Sequence, residues 1–318
     1  MNYTNRILGA LALLLTALPL AAQQDAHYTE FMYYRLGYNP AYAGSEESGT
    51  LHAIARQQWL GLENAPSSQI VTFSTPFGGG RSGLGLRANR VTVGLEEQYN
   101  LEGSYAYRIL LGRGSRLGLG ISASARYFDV QYADARPVQG GGIDQAIPGG
   151  NSSKVLPNFG FGLYLDGPGY YLGLSLPRLL QNNIDLGSEE TIISREVRHY
   201  YFMGGLKFPV GEKLALQPQV LAKYVGGAPF DADFNLTAHL GPAFYTGLSY
   251  RLGGNGAGES ASALVGFDLN EHLTMGLTYD MGLSDLRSAQ SGSIEAMIRY
   301  SIGGRSDAGE IIDPRELR

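Results

Sequence analysis

Few side chains in this sequence stand in patterns that do chemistry. The five histidines, His27, His52, His199, His239 and His272, are scattered, and none is spaced as a metal pair. There is no cysteine, which removes thiol nucleophiles, cysteine metal sites and disulfides. Gly78-Gly79-Gly80-Arg81-Ser82-Gly83 fits a G-x-G-x-x-G fingerprint, but that motif needs a helix after it, and here a strand pattern follows. A tight hairpin turn is the better reading. Asp231-Ala232-Asp233-Phe234-Asn235 opens like a calcium loop, yet Leu236 replaces the glycine at position six and Pro242 the acid at position twelve. Gly173-Leu174-Ser175 and Gly247-Leu248-Ser249 lack the second glycine of a nucleophile elbow. A cross-strand Ser–His site, as in a lipid-modifying barrel, stays as a third reading. Arg195-Glu196-Val197-Arg198 reads first as a solvated loop end and second as a surface contact. The expectation is a protein that is no enzyme, with no catalytic residues, no metal and no cofactor.

The elements that would carry these residues follow from composition and period. The chain has 318 residues, a net charge of −5, 45 glycines, 21 tyrosines and one tryptophan. Charged residues make up 17%, against roughly 25% in an ordinary soluble domain. Nothing in that balance calls for nucleic acid as a partner. Residues 1–22 read as a signal peptide: Arg6 in the n-region, an apolar run from Ile7 to about Leu18, then Pro19 and the small Ala21-Ala22. Beyond it no stretch approaches 18 consecutive apolar residues, so helical spans are not expected.

The period is 2 throughout. In 116–128, Leu117, Leu119, Ile121, Ala123, Ala125 and Tyr127 alternate with Arg116, Gly118, Gly120, Ser122, Ser124 and Arg126. In 293–302, Ile294, Ala296, Ile298, Tyr300 and Ile302 alternate with Ser293, Glu295, Met297, Arg299 and Ser301. About fourteen such segments are expected, near 49–60, 67–77, 82–93, 98–111, 115–129, 157–166, 169–177, 196–209, 213–225, 231–240, 242–252, 260–269, 272–282 and 292–302.

A soluble sandwich and an outer-membrane barrel both suit many alternating strands. Strands of about 10–13 residues suit a tilted membrane crossing, whereas soluble strands are usually about 5–6. The polar face mixes Gly and Ser with Arg56, Arg87, Arg108, Arg126, Lys207, Lys223, Arg251, Glu295 and Arg299, as a packed and partly wet lumen would. The connections alternate in length. Those after even-numbered strands are short, and those after odd ones include the long stretches 130–156 and 178–195. Short periplasmic turns with longer external loops are the mark of outer-membrane barrels. The fold class is therefore all-β, a transmembrane antiparallel β-barrel of about 14 strands. Tyr127, Tyr164, Tyr170, Tyr224, Tyr250, Tyr279 and Tyr300 are expected in belts at the lipid interfaces, or as ordinary packing aromatics.

A resemblance spans about residues 23–302. Gln24-Asp25-Ala26-His27-Tyr28-Thr29-Glu30-Phe31-Met32 is followed by Asn39-Pro40-Ala41-Tyr42-Ala43-Gly44, then by Arg56-Gln57-Gln58-Trp59-Leu60-Gly61. Later blocks include Asp233-Phe234-Asn235, Gly247-Leu248-Ser249-Tyr250-Arg251, Tyr279-Asp280 and Gly292-Ser293-Ile294-Glu295. This succession resembles the PorP/SprF family of outer-membrane proteins, linked to type IX secretion and gliding motility in Bacteroidota. Ile294 stands where the family pattern has His, and Gln217-Pro218 where Lys-Pro is commoner. The resemblance implies a non-enzymatic accessory barrel in the outer membrane, in contact with its lipid. Its partners would be secretion components, a periplasmic ring or peptidoglycan-binding protein, or a secreted cargo such as an adhesin, engaged through the cargo's C-terminal domain. The alternative function is a channel for passive or substrate-specific transport.

The domain reading is a signal peptide at 1–22, a periplasmic or plug segment at 23–47, a barrel at 48–302 and a polar tail at 303–318, disordered or in contact with partners. Residues 23–47 are too broken by Gly and Pro to form a strand, yet carry Tyr28, Phe31, Met32, Tyr33, Tyr34, Tyr38 and Tyr42, which must bury somewhere. Tyr28, Phe31, Met32, Asn39, Pro40, Tyr42 and Gly44 are the candidate plug or docking residues. They are expected as a lid at the periplasmic end of the lumen. Arg56, Gln58, Trp59, Arg126, Arg251, Glu295 and Arg299 are the candidate barrel-motif residues. Arg56 is expected to point inward and pair with Glu102 or Glu295. Trp59, three residues on, is expected at the outer lipid interface on the opposite face.

Overall fold

The computed structural model describes residues 28–132, 152–184, 195–253, 259–283 and 288–303. The signal-peptide reading, most of the tail and the centres of the two longest loops lie outside the described residues. Alternation with period 2 does what it should. Strands β1 (Thr50–Gln57), β2 (Ser67–Phe77), β3 (Ser82–Val93), β4 (Glu96–Gly112), β5 (Ser115–Val130), β6 (Ser152–Gly167), β7 (Tyr170–Leu176) and β8 (His199–Leu206) form the first part of one sheet. The two-residue β9 (Phe208–Pro209) continues β8 past Lys207. Strands β10 (Leu214–Val225), β11 (Asp231–Leu240), β12 (Phe244–Leu252), β13 (Ser260–Asp268), β14 (Leu273–Gly282) and β15 (Ser293–Ser301) complete it. Neighbours in sequence pair antiparallel, and β15 pairs with β1, so the sheet closes as a barrel of 14 spanning strands. Closure leaves no sheet edge facing lipid, which a membrane does not tolerate.

One side of each strand is exposed and apolar, with Val71, Leu84, Leu86, Leu101, Ile121, Val155, Phe159, Leu174 and Leu248 among the outward residues. The inward side is small, polar or charged. At the β2–β3 turn, Gly78, Gly79 and Gly80 have φ of 59°, 68° and 79°, a run of left-handed residues that only glycine adopts freely. That turn is the structure's use for the G-x-G-x-x-G match.

Four expectations need correction. β6 starts at Ser152 rather than at Pro157. The proline is tolerated because β7 ends at Leu176, opposite Phe161, so at Pro157 the only strand ladder is with β5, and residues 179–182 cover the other side. Trp59 lies beyond β1, in a connection, with φ 49°. Tyr164 faces inward and is 2% exposed, so it belongs to no lipid belt; Tyr127, Tyr224, Tyr250, Tyr279 and Tyr300 are exposed on the outer wall. Glu196, expected in solvent, is buried at the outer mouth beside Arg126, and it accepts hydrogen bonds from Asn158 and Asn182.

Candidate functional site

Residues 28–46 lie inside the barrel. A single helical turn, α1 (Arg35–Tyr38), and a 3-10 turn (Pro40–Tyr42) are their only regular structure. The fixed φ of Pro40 at the start of the 3-10 turn and the Asn39 side chain accepting from the Ala41 amide (2.9 Å) set that conformation. The aromatic residues then pack as a column. Tyr28 meets Tyr34 (5.0 Å between ring centres), Tyr34 meets Tyr38 (5.3 Å), Tyr38 meets Tyr201 (5.2 Å), and Tyr42 meets Tyr164 (5.4 Å). Phe31 and Met32 are buried in the same cluster with Ile54, Ile70 and Met297.

The wall is shaped for this backbone. A Cβ added at Gly120 would overlap the backbone of Ala41, and one at Gly162 would overlap the Asn39 side chain. The inward glycines of β5 and β6 therefore make the room in which Asn39-Pro40-Ala41 sits. Asn39 Nδ2 donates to the Leu163 carbonyl (2.8 Å), and Ser175 donates to the Tyr38 carbonyl (2.6 Å). Near the short-turn end the Gly44 amide donates to Ser74 (2.7 Å). Arg108, 1% exposed, donates to the Ala43 carbonyl, and Arg116 donates to the Ser45 carbonyl (2.9 Å).

At its other end the segment is held by charge. Arg56 pairs with Glu295 (2.8 Å) and Asp280 (2.5 Å), and donates to Thr29 Oγ1 (3.2 Å). The Thr29 and Glu30 amides donate to the two Glu295 oxygens (3.1 and 2.8 Å), and the Thr29 hydroxyl donates to Asp280. Thr278 donates to Glu30 Oε1 (2.6 Å), while Glu30 Oε2 is buried with no partner. Arg56 is the cation paired directly with two of these carboxylates, and the charge of Arg251 also acts on Asp280. Burial, and next the charge of Glu295, push the Glu30 carboxyl up to about 8. Close to β1 the opposite holds. Burial alone would raise Glu46, but Arg299 (3.2 Å), His52 and the Tyr42 hydroxyl (2.6 Å) hold its carboxyl down at about 2.

Thr29 and Glu30 thus sit beside Arg56 and Glu295, near the long-loop ends of β1 and β15, while Gly44 packs at Gly83 beside the β2–β3 turn. The segment runs along the lumen, farther than the lid expected at the periplasmic end.

Tyr28, Phe31, Met32, Asn39, Pro40, Tyr42 and Gly44 come together in this segment, with Arg56, Glu295 and Arg299 on the wall against it. Of the two partners expected for Arg56, Glu295 is the one found; Glu102 pairs with Arg87 (2.6 Å). Three candidates make their direct contacts with other partners. Arg126 pairs with Glu196 at the outer mouth, Arg251 pairs with Asp233 (2.6 Å), and the Gln58 amide donates to the Pro66 carbonyl (2.9 Å). Asp231 pairs with Lys223 (3.4 Å), so the calcium-like run is spent on strand-to-strand ion pairs. Glu30, Asp280, Arg35 and Glu46 were not singled out from sequence. Glu30 and Asp280 do stand inside the motif blocks, but no spacing rule links residue 30 to residue 295.

The family described as type IX secretion system membrane protein PorP/SprF matches residues 20–300. A search of the curated proteins finds no match. Among solved structures, the TodX deltaS2S3 mutant, a monoaromatic hydrocarbon channel, is similar with a TM-score of 0.50 at 11% identity, over 84% of this chain and 93% of that one. CymD, also a monoaromatic hydrocarbon channel, gives 0.49 at 12% identity, over 84% and 98%. Omp33 of Acinetobacter baumannii gives 0.44 at 10%, over 81% and 100%. At 11% identity the likeness to the TodX mutant speaks for the barrel fold alone. The family match covers most of the chain, and the architecture is the one the outer membrane admits: the chain belongs to the PorP/SprF family of type IX secretion system membrane proteins and is an outer-membrane β-barrel.

Proposed function

We propose that this barrel is a non-enzymatic accessory of type IX secretion whose lumen is plugged by its own residues 28–46. In this reading it supports secretion or surface attachment of a cargo protein, or links the outer membrane to periplasmic parts of the machinery. The observation that carries it is the segment's attachment to strands on every side, from Glu295 on β15 through Ser74 on β2 and Arg108 on β4 to Ser175 on β7. A lumen filled in this way offers partners two rims rather than a path. A channel is the competing function, and planar-bilayer conductance separates the two. The intact protein should show no stable open state, and deletion of residues 24–44 should create one or impair assembly. A stable open pore in the intact protein supports the channel. If the deletion leaves folding, conductance and cargo display unchanged, both the plug and the docking role of the segment fail.

A further inference from the structure

Arg35 projects from α1 towards the short-turn end of the lumen, where a cavity of about 230 Å³ reaches the rim at Gly167 and Gly169. Its guanidinium lies 3.9 Å from the centre of the Tyr171 ring, so one face is stacked. Nη1 donates to the Tyr164 hydroxyl (3.2 Å) and Nη2 to Gln219 Oε1 (3.4 Å), both long bonds to neutral partners, and Nε is buried with none. Among the described residues no carboxylate comes within ion-pair distance of it. The two acids on the cavity wall are engaged elsewhere: Asp166 with Arg116, and Glu46 with Arg299 and Tyr42. A half-buried cation with no carboxylate at ion-pair distance is incompletely satisfied, and this one lines a cavity far larger than the ~30 Å³ of one water.

We propose that this cavity is a carboxylate-binding site, with the Arg35 fork as the anion receptor and the Tyr171 ring fixing its plane. Planar, bidentate recognition is what a guanidinium offers a carboxylate. Glu46 and Asp166 stand in the same wall, so a singly charged anion fits better than a doubly charged one. The carboxylate comes from the periplasmic side, either as a chain terminus or as an acidic side chain.

The proposal rests on residues 28–46 being resident in the barrel. Calorimetric titration of the full-length protein in detergent micelles tests it with four probes: N-acetylglycine, N-acetylglutamic acid α-amide, N-acetylglutamine amide and inorganic phosphate. At least one of the two carboxylates should bind one-to-one, and their ratio tells terminus from side chain. The neutral amide should not bind, and phosphate should bind more weakly than the better carboxylate. Arg35→Lys should weaken carboxylate binding on the order of tenfold, and Arg35→Gln should abolish it, with barrel folding checked by heat-modifiable gel mobility. If Arg35→Gln does not fold, Arg35→Lys carries the test. The site is overturned if no probe binds, if the neutral amide binds as well as the carboxylates, if phosphate binds best, or if binding is unchanged in a folded Arg35 variant. Exchange-protected amides over 28–46 with no probe binding overturn the site alone; unprotected amides overturn the plug reading as well.

Discussion

Replacing Glu30 by glutamine should remove a pH dependence that the wild-type segment carries. Inside the barrel, Glu30 faces Glu295 and Asp280, with Arg56 already paired to both and Tyr245 on the neighbouring wall. Burial and the Glu295 charge hold its proton up to about 8, against 4.5 for the free side chain. The docked form therefore binds the proton more tightly than the released form. Docking is at full strength below about 4.5, and it weakens as pH rises towards 8. Each pH unit inside that window costs ~1.4 kcal/mol, so between pH 6 and pH 8 the docked segment loses up to ~3 kcal/mol, about a hundredfold in its equilibrium. Hydrogen exchange by mass spectrometry reads this directly. Protection factors of the amides in 28–34, corrected for the intrinsic rate, should fall by about two orders of magnitude from pH 6 to pH 8. In Glu30→Gln, which keeps the Thr278 hydrogen bond without that titrating proton, the fall should be markedly smaller. Protection that is constant with pH in the wild type refutes the reasoning, as does an equal fall in both proteins.

Two further perturbations probe the same fit. Gly120→Leu places a side chain where Ala41 lies; the barrel should still form, with protection of residues 39–44 lost, whereas Gly103→Leu, on the outward face of β4, should change neither. Arg56→Met strands two buried carboxylates and should cost ~3–5 kcal/mol, lowering the thermal midpoint followed by circular dichroism, with partial recovery in the Arg56→Met, Glu295→Gln double variant. If the single variant is as stable as the wild type, the triad is not what anchors Thr29 and Glu30.

Alternation made the barrel legible because lipid and lumen impose opposite demands on successive residues, and all 14 spanning strands overlap segments marked by period alone. The same parity could have placed Tyr164, which is in step with the inward Gly160 and Gly162 and out of step with Phe161. Its chemistry misled, since a phenol suits a lipid interface and a wet lumen equally. The interior was legible in composition but not in partnership. Seven large side chains without a strand implied burial, yet that Glu30 would meet Glu295 depends on closure of β15 against β1, a relation between chain ends that no local pattern encodes. Glu196 was missed for a related reason: its charged neighbours suggest water, but the loop folds back to bring it to Arg126.

The placement of residues 28–46 also bears on how the protein is made. Thr29 and Glu30 precede every strand, yet their partners Asp280 and Glu295 lie on the last two, 251 to 266 residues away. A segment that precedes every strand can acquire these contacts only when the last strand arrives. A finished cylinder would have to admit the folded turn at Pro40 past Arg108 and Tyr164, both sealed in the interior. The simpler order is that the wall curls around the segment, which then acts as a mandrel. Closing a loop of that span costs chain entropy, so the pairing of β15 with β1 and the docking of Thr29 and Glu30 fall together, late in assembly.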